Sequence, residues 1–547
     1  MAVRFLQIMR EKMRSFTKII EQSNVDGIDA LTANADKNVH PFIAPCCVIG
    51  NGGYIAMDFG TEICGRLHIL FAANEGGAVR VRLGESVAEC YAELGENNAG
   101  NNHSLRDCVY PTVALSDFST SESGFRFARI DAVQGNVGII KVFAEESNNS
   151  LQIRGSFSCS DDKLNKIFDT AAKTISLCVR DEEIWDGIKR DRLVWIGDFY
   201  PELLGACALY GNIPQFRKVL DSVKQFDNAW VNLIPAYSAW WLICLEKYFS
   251  LTDDRDYVRE SLQYIHKIIK QFDGIVKENG EVSYDDCSLR IFQGNEFFVD
   301  WPTNFTEDSK TGWRYLLIFA MNKTKDLLSQ FDEDTSVADS VKQKLDLWNF
   351  KPSEFKQVTA LGVLADKIDM SEACRLLTKG GAQGMTAFMG CIIVEALEKI
   401  GEGQFALELV KEYYGAMLDL GATTFWEDFD IEWAKDNPSA IDELPTSERK
   451  NIHADYGRFC YTGLRHSLCH GWSSGFIDFF YGYILGIKNR GDAFGKVSVT
   501  PHLCGLTHAQ GTLPTVYGDI SVSCKVVDGH VETTVSVPDG VTRIVCE

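Results

Sequence analysis

Between about residues 161 and 488 the apolar side chains of this chain recur at intervals of three and four, and on either side of that stretch the interval falls to two. A helix returns a side chain to the same face every 3.6 residues and a strand every second residue, so the chain reads as multidomain and mainly α, with β structure at both ends. Helical spacing covers 161–180, 199–210, 213–224, 231–250, 254–271, 311–329, 335–348, 386–401, 403–419 and 471–487, with shorter helices over 354–366 and 371–379. Ser160-Asp-Asp opens this region as an N-cap. Upstream, Val79-Arg-Val-Arg-Leu83 and Phe125-Arg-Phe-Ala-Arg-Ile130 alternate between Gly- and Asn-rich turns. Downstream, Lys496-Val-Ser-Val499, Asp519–Val526 and Val531–Val537 alternate between turns at Gly505, Gly518, Asp528-Gly529 and Asp539-Gly540. The organisation expected is an N-terminal, partly helical segment (1–39), a β-sandwich domain (40–155), a helical domain (156–488) and a small antiparallel β-domain (489–547).

With 547 residues, 45% of them apolar, the chain can bury a large core across several domains. Its formal charge of −22 argues against nucleic acid and acidic polymers as partners, and suits a neutral ligand. Seventeen cysteines, an odd number with no Cys-x-x-Cys pair, indicate neither a zinc framework nor a disulfide ladder. Cys178, Cys207, Cys244 and Cys391 sit in apolar helical stretches and read as small hydrophobes, which suits a reducing, cytoplasmic setting. Met1–Gln22 carries spaced basic residues and no continuous apolar core, so it reads as an amphipathic helix and not a secretory signal; a signal removed beforehand would place the protein in the periplasm. No eighteen-residue apolar run is present, so no membrane association is expected.

Two constellations carry chemistry. Asp186-Gly-Ile-Lys-Arg-Asp-Arg-Leu-Val-Trp-Ile-Gly-Asp198 sets three acids and three bases around an apolar run that resists a solvated face. Far downstream, Gly421-Ala-Thr-Thr-Phe-Trp-Glu-Asp-Phe-Asp430 presses carboxyls against an aromatic pair. Burial raises a carboxyl pKa and a nearby cation lowers it, so two acids in different surroundings can divide the work of acid and base. A third run, Ser467-Leu-Cys-His-Gly-Trp-Ser-Ser-Gly475, places His470 at a helix entrance in a close-approach turn; His453 and His466 lack that setting and read as structural. Flat rings stack on a pyranose, and in Ile234–Ile243 Tyr237 and Trp240, three apart, share a face.

In this order the three runs resemble the signature regions of glycoside hydrolase family 78, the inverting α-L-rhamnosidases, over roughly residues 150–525. The resemblance implies an (α/α)6 toroid for the helical domain, and exo-hydrolysis of terminal α-L-rhamnosides. It implies Asp191 as general acid and Glu427 as the base that activates water. Asp186, Trp195, Asp198 and His470 would contact the sugar, as would Asp300 and Trp301 of Phe297-Phe-Val-Asp-Trp-Pro302. Family members commonly carry Glu where this chain has Asp191, about 1.5 Å shorter in reach. Either the backbone approaches, a water intervenes, the acid role lies with Asp186 or Asp198, or the chain is a weakened, carbohydrate-binding homologue. A phosphorylase on a similar toroid is a further alternative, with Lys189, Arg190 and Arg192 as its charges. Because a cation would keep a general acid ionised, Arg190 is expected to pair with Asp186 or Asp198, leaving Asp191 nearest Trp195, while Lys189 is expected in solvent. No cofactor is expected. A structural calcium at the carboxylates of 427–430 is left open, since no recognisable binding loop is present.

Overall fold

The structure, a computed structural model, describes residues 13–35, 37–73, 76–284, 290–458 and 460–544. Eight strands form the N-terminal sheet: β1 (Met13–Arg14), β2 (Lys18–Asp26), β3 (Cys47–Phe71), β4 (Gly77–Gly84), β5 (Asp107–Thr112), β6 (Asp117–Ser119), β7 (Ser123–Gln134) and β8 (Val137–Glu146). The alternation has the expected effect. Val79, Val81 and Leu83 turn into a core with Ile55, Met57, Phe59 and Phe125, while Arg80 and Arg82 turn out to meet Asp107 and Asp131. Each such core side chain contributes roughly 1.5–3 kcal/mol. The segment before residue 40 differs from expectation. Its described part supplies β1 and β2 to this sheet, and only Asp29–Asn34 is helical. Cross-strand pairing of Lys18–Asp26 with β3 outweighs its weak helical pattern; residues 1–12 lie outside the described ones.

The 25-residue strand β3 leaves register with β7 between Asp58 and Ile63, where Gly60 holds φ +79°. The break presents Glu62 to the helical domain, where its N–H donates to Thr423 Oγ1 at 3.0 Å.

Among the described residues eleven helices of eight residues or more follow: α1 (Asp162–Cys178), α2 (Ile196–Tyr210), α3 (Gln215–Ser222), α4 (Pro235–Thr252), α5 (Arg255–Ile275), α6 (Glu307–Ser329), α7 (Ser336–Leu345), α8 (Lys356–Leu364), α9 (Met370–Thr378), α10 (Gly390–Lys399) and α11 (Gly403–Asp419). Asp161 caps α1 by accepting the N–H groups of Lys163 and Leu164, a contact worth about 1 kcal/mol. Helices α2 and α8 are buried at every position, with Asp198 and Glu202 of α2 and Lys356, Gln357 and Thr359 of α8 buried among their apolar residues. The even-numbered helices pack in sequence, α2 on α4, α4 on α6, α6 on α8 and α8 on α10; α10 then meets the segment Gly471–Ser474, which returns to α2. The odd-numbered ones each bury one face against this inner set.

The stretch 471–487, expected as one helix, is broken into a 3₁₀ turn (Gly471–Ser474), one α turn (Ile477–Phe479) and a π turn (Phe480–Ile484). The glycines that break it are required by close approach: a Cβ on Gly475 would stand 2.6 Å from Pro201, and one on Gly471 2.3 Å from the Glu202 carboxyl.

Two small sheets close the chain. One has the order β14-β13-β12-β9, with β12 (His508–Thr515), β13 (Gly518–Val527), β14 (His530–Ser536) and β9 (Ser156–Cys159), a strand contributed from before α1. The other joins β10 (Ile487–Asn489), β11 (Lys496–Val499) and β15 (Thr542–Ile544), and its β11–β15 pair is parallel, unlike the antiparallel pattern expected. Cys178, Cys207, Cys244 and Cys391 are buried free thiols. Among the described residues no helix is long and apolar enough to cross a membrane.

Candidate active site

The loops entering the inner helices converge at one end. They carry Asp186, Asp191 and Trp195 (before α2), Asp300 and Trp301 (before α6), and Glu427 and His470 (before the 471–479 segment), while Tyr237 lies in the first turn of α4.

Asp186 closes the loop that precedes α2. Its Oδ1 accepts the N–H groups of Gly187 (2.8 Å) and Leu193 (3.1 Å), and burial pushes its carboxyl up to about 8. Asp198, in the first turn of α2, is raised well above the usual carboxylate range by burial and then by the charges of Asp186 and Glu427. Glu202, one turn further along α2, is raised by burial and by Asp198. Acceptor atoms of Asp186, Asp198 and His470 lie within 4.8 Å of one another, a set able to surround a hydroxyl or a small cation.

Glu427 has the opposite electrostatics. Its burial alone would raise the carboxyl, but the Arg190 guanidinium, with His470 and the N–H of Ser467 adding to it, brings it down to about 2. Arg190 Nη2 holds both Glu427 oxygens, Ser467 N–H donates to Oε2 at 2.8 Å, and Cys460 Sγ lies 3.1 Å from Oε1. His470 Nε2 stands 3.9 Å from Oε1, with its ring on Trp472, and burial lowers its pKa to about 4, so it enters as a neutral imidazole.

Arg190 also binds Asp191 through Nη1, so one guanidinium links both candidate catalytic carboxyls. Its Nε donates to Arg465 O at 2.8 Å and its Cζ lies 3.7 Å from the Tyr461 ring centre. This corrects two expectations. Arg190 does not pair with Asp186 or Asp198, and Asp191 sits against Arg190 and His103 (3.6 Å), not against Trp195. The reason is local: Asp191 and Arg192 hold φ of +58° and +52°, and two consecutive left-handed residues reverse the chain there. Lys189 is not in solvent either; it is buried, 3.0 Å from Glu85 and 3.4 Å from Glu89.

The aromatic expectations divide. Trp195, Tyr237, Phe298 and Trp301 form a row of edge-on contacts, with ring centres 6.2, 6.1 and 5.2 Å apart in succession. Trp240 is buried one turn deeper, packed on Tyr200 at 5.3 Å. Asp300 has both oxygens engaged: Oδ1 accepts Trp301 N–H (2.8 Å), and Oδ2 accepts Thr386 Oγ1 (2.7 Å) and Gln357 Nε2 (3.2 Å). Burial pushes its carboxyl up to about 7. It fastens its own loop to the first turn of α8 and to the loop before α10. His453 and His466 are buried, hydrogen-bonded to Ser86 and to main-chain carbonyls, and packed on each other at 4.7 Å. Cys460, Tyr461, Ser467 and the acids Glu85, Glu89 and Glu202 escaped sequence reasoning, since nothing in their own neighbourhoods marks their long-range partners.

The six-hairpin glycosidase domain of bacterial α-L-rhamnosidases matches residues 152–313, and the C-terminal domain of the same enzymes matches residues 486–546. Over these two stretches the chain is similar to the bacterial α-L-rhamnosidases. An α-L-rhamnosidase of Alteromonas sp. (strain LOR) is 22% identical over 541 residues, covering 88% of this chain; the chain spans only 55% of that rhamnosidase's length. Among solved structures, the family 78 rhamnosidase of Bacillus sp. GL1 superposes with a TM-score of 0.72 at 20% identity, over 94% of this chain and 56% of that one. A rhamnosidase from Klebsiella oxytoca with rhamnose bound gives 0.66 at 18% identity, over 86% of this chain and 96% of that one. At such identities the rhamnosidase structures establish a shared fold.

Proposed function

We propose that this chain hydrolyses terminal α-L-rhamnosyl residues of glycosides or glycans by an inverting, exo-acting mechanism, on a helical domain that is an (α/α)6 toroid. The ring-like succession of inner helix contacts supports the toroid. The observation that carries the mechanism is that Asp191 and Glu427, far apart in sequence, meet at one guanidinium, Arg190, beside the buried carboxyls Asp186 and Asp198. Glu427 is held ionised near pKa 2, while Asp186 and Asp198 are pushed up towards the neutral form. An inverting glycosidase needs an ionised base for water and a carboxyl group that donates to the leaving oxygen.

Glu427 is the base, at the buried side, where Ser467 N–H and Arg190 fix its oxygens. Asp191 is the acid: its side chain is 19% exposed against 2% for Glu427, which puts it towards the side where a leaving group departs. Substrate entry would have to loosen Arg190 from Asp191 so that the acid can carry its proton. Asp186, Asp198 and His470 hold sugar hydroxyls, and the row Trp195, Tyr237, Trp301 faces the ring. The ligand is a neutral carbohydrate, not nucleic acid or membrane, and the buried thiols suit a cytoplasmic setting.

One observation favours a second reading, a carbohydrate-binding homologue weakened in catalysis: the Arg190 guanidinium is bonded directly to the shorter acid, Asp191. Time-resolved proton NMR of an α-L-rhamnoside separates the two. The enzyme releases the β-anomer first and Glu427→Gln loses about 10²–10⁴ in turnover; saturable rhamnose binding without hydrolysis supports the second reading, and α-anomer released first contradicts inversion.

A further inference from the structure

A second group of buried charge lies where the N-terminal sheet meets the loop 464–470. Glu85 and Glu89 follow β4, in a turn and a one-turn helix capped by Ser86, and both are fully buried with Glu62 and Arg106 nearby. The ammonium of Lys189 fills the space between them and also donates to Leu464 O (3.1 Å) and His466 O (2.8 Å). Glu85 grips the same loop directly: Oε2 accepts Leu468 N–H at 2.6 Å and Oε1 accepts Ser467 Oγ at 3.1 Å.

The adjoining peptide is the one that serves Glu427. Ser467 N–H donates to Glu427 Oε2 at 2.8 Å, and Ser467 O accepts Glu427 N–H at 2.9 Å. Lys189 precedes Arg190, the other partner of Glu427. A single side chain from the sheet domain thus touches the supports of both groups that hold the Glu427 carboxylate. Glu85, Glu89 and the loop 464–470 all lie outside the residues matched by either rhamnosidase domain.

We infer that Glu85 is a positioning residue of the catalytic centre: it fixes the Ser467–Leu468 peptide and the Lys189–Arg190 turn, and through them keeps Glu427 aligned and ionised. This rests on the reading of Glu427 as the base. Without Glu85 the Leu468 N–H is a buried donor lacking its acceptor and Lys189 loses a carboxylate at 3.0 Å, so the loop must shift to satisfy them. The charged and titratable groups around the two carboxyls are Lys189, Glu89, Glu62 and Cys469 for Glu85, and Arg190, Asp186, Asp198, His466, His470, Cys460, Tyr461 and, across Arg190, Asp191 for Glu427. Shortening Glu85 to Asp keeps the charge opposite Lys189 but withdraws it by about 1.5 Å from Leu468.

The test uses the full chain with ¹³C-labelled glutamate δ-carboxyls, the Glu427 signal being assigned by its absence in Glu427→Gln. In the unaltered protein that signal stays ionised down to pH 4. In Glu85→Gln and Glu85→Asp it titrates above pH 4, and kcat on an aryl α-L-rhamnoside at pH 6 falls at least tenfold with KM within threefold. A folded Glu85→Asp with unaltered Glu427 titration and kcat overturns the inference. If both variants fail to fold, Ser467→Ala, which removes one of the two loop contacts of Glu85, is read the same way. If the unaltered protein cleaves no rhamnoside, the proposed activity fails on its own account, and the NMR titration still decides the role of Glu85.

Discussion

Replacing Arg190 by Met tests the electrostatics of the site most directly. Glu427 has an ordinary value of 4.5 and is brought to about 2 in the fold. At 1.36 kcal/mol per pH unit, that difference is on the order of 3 kcal/mol favouring the ionised form. Because the folded value lies below the unfolded one, this stabilisation is present above about pH 4.5 and is lost as pH falls towards 2. Burial acts the other way and is the largest single influence on Glu427. Without the guanidinium, burial prevails and the carboxyl titrates above 4.5, leaving the base partly protonated in the working range. Truncating one partner of a buried ion pair costs about 3–5 kcal/mol. The assay is kcat/KM for an aryl α-L-rhamnoside across pH 4–9, which reports the free enzyme's ionisations. In the unaltered enzyme no acidic limb from Glu427 falls in that window. In Arg190→Met an acidic limb appears above pH 4.5, and activity recovers in part towards pH 8. A folded Arg190→Met whose acidic limb matches the unaltered enzyme would refute the claim that Arg190 keeps the base ionised.

Two further outcomes follow. Asp191→Asn lowers turnover by about 10²–10⁴ on glycosides with poor leaving groups and much less on a nitrophenyl glycoside, whose departure needs little protonation, as steady-state rates on both substrates will show. Gly471→Ala forces a methyl to within 2.3 Å of the Glu202 carboxyl and lowers the thermal unfolding midpoint by several degrees, measured by calorimetry; an unchanged midpoint contradicts the close approach.

Much of the helical domain was legible because its signal is local. Asp161 caps α1, and α2 and α8 are mostly apolar, so burial and boundary are written in neighbouring residues. The carboxyls were legible for a similar reason, since Asp186, Asp198 and Glu427 stand among side chains that resist exposure. What stayed hidden depends on distant partners or on backbone sign. Nothing in Lys189-Arg190-Asp191-Arg192 announces two left-handed residues beside the arginine that holds Glu427. Lys189 reads as a solvent lysine until Glu85 and Glu89 are brought beside it. The last helical stretch was over-read because Gly471 and Gly475, which fit the periodicity well enough, are there for contact with α2.

Strand β9 links the order of synthesis to the order of assembly. Ser156–Cys159 emerges before any helix of the central domain, yet it pairs with Ala509–Thr512 of β12, some 350 residues later. Until β12 arrives, β9 has an open hydrogen-bonding edge, and afterwards it covers the edge that β12 would otherwise offer to other chains. The helical domain is therefore laced shut by its last-made sheet. Cutting the chain at the end of the helices would leave β9 without its partner, and the helical fragment would be expected to associate through that edge, whatever the integrity of its core.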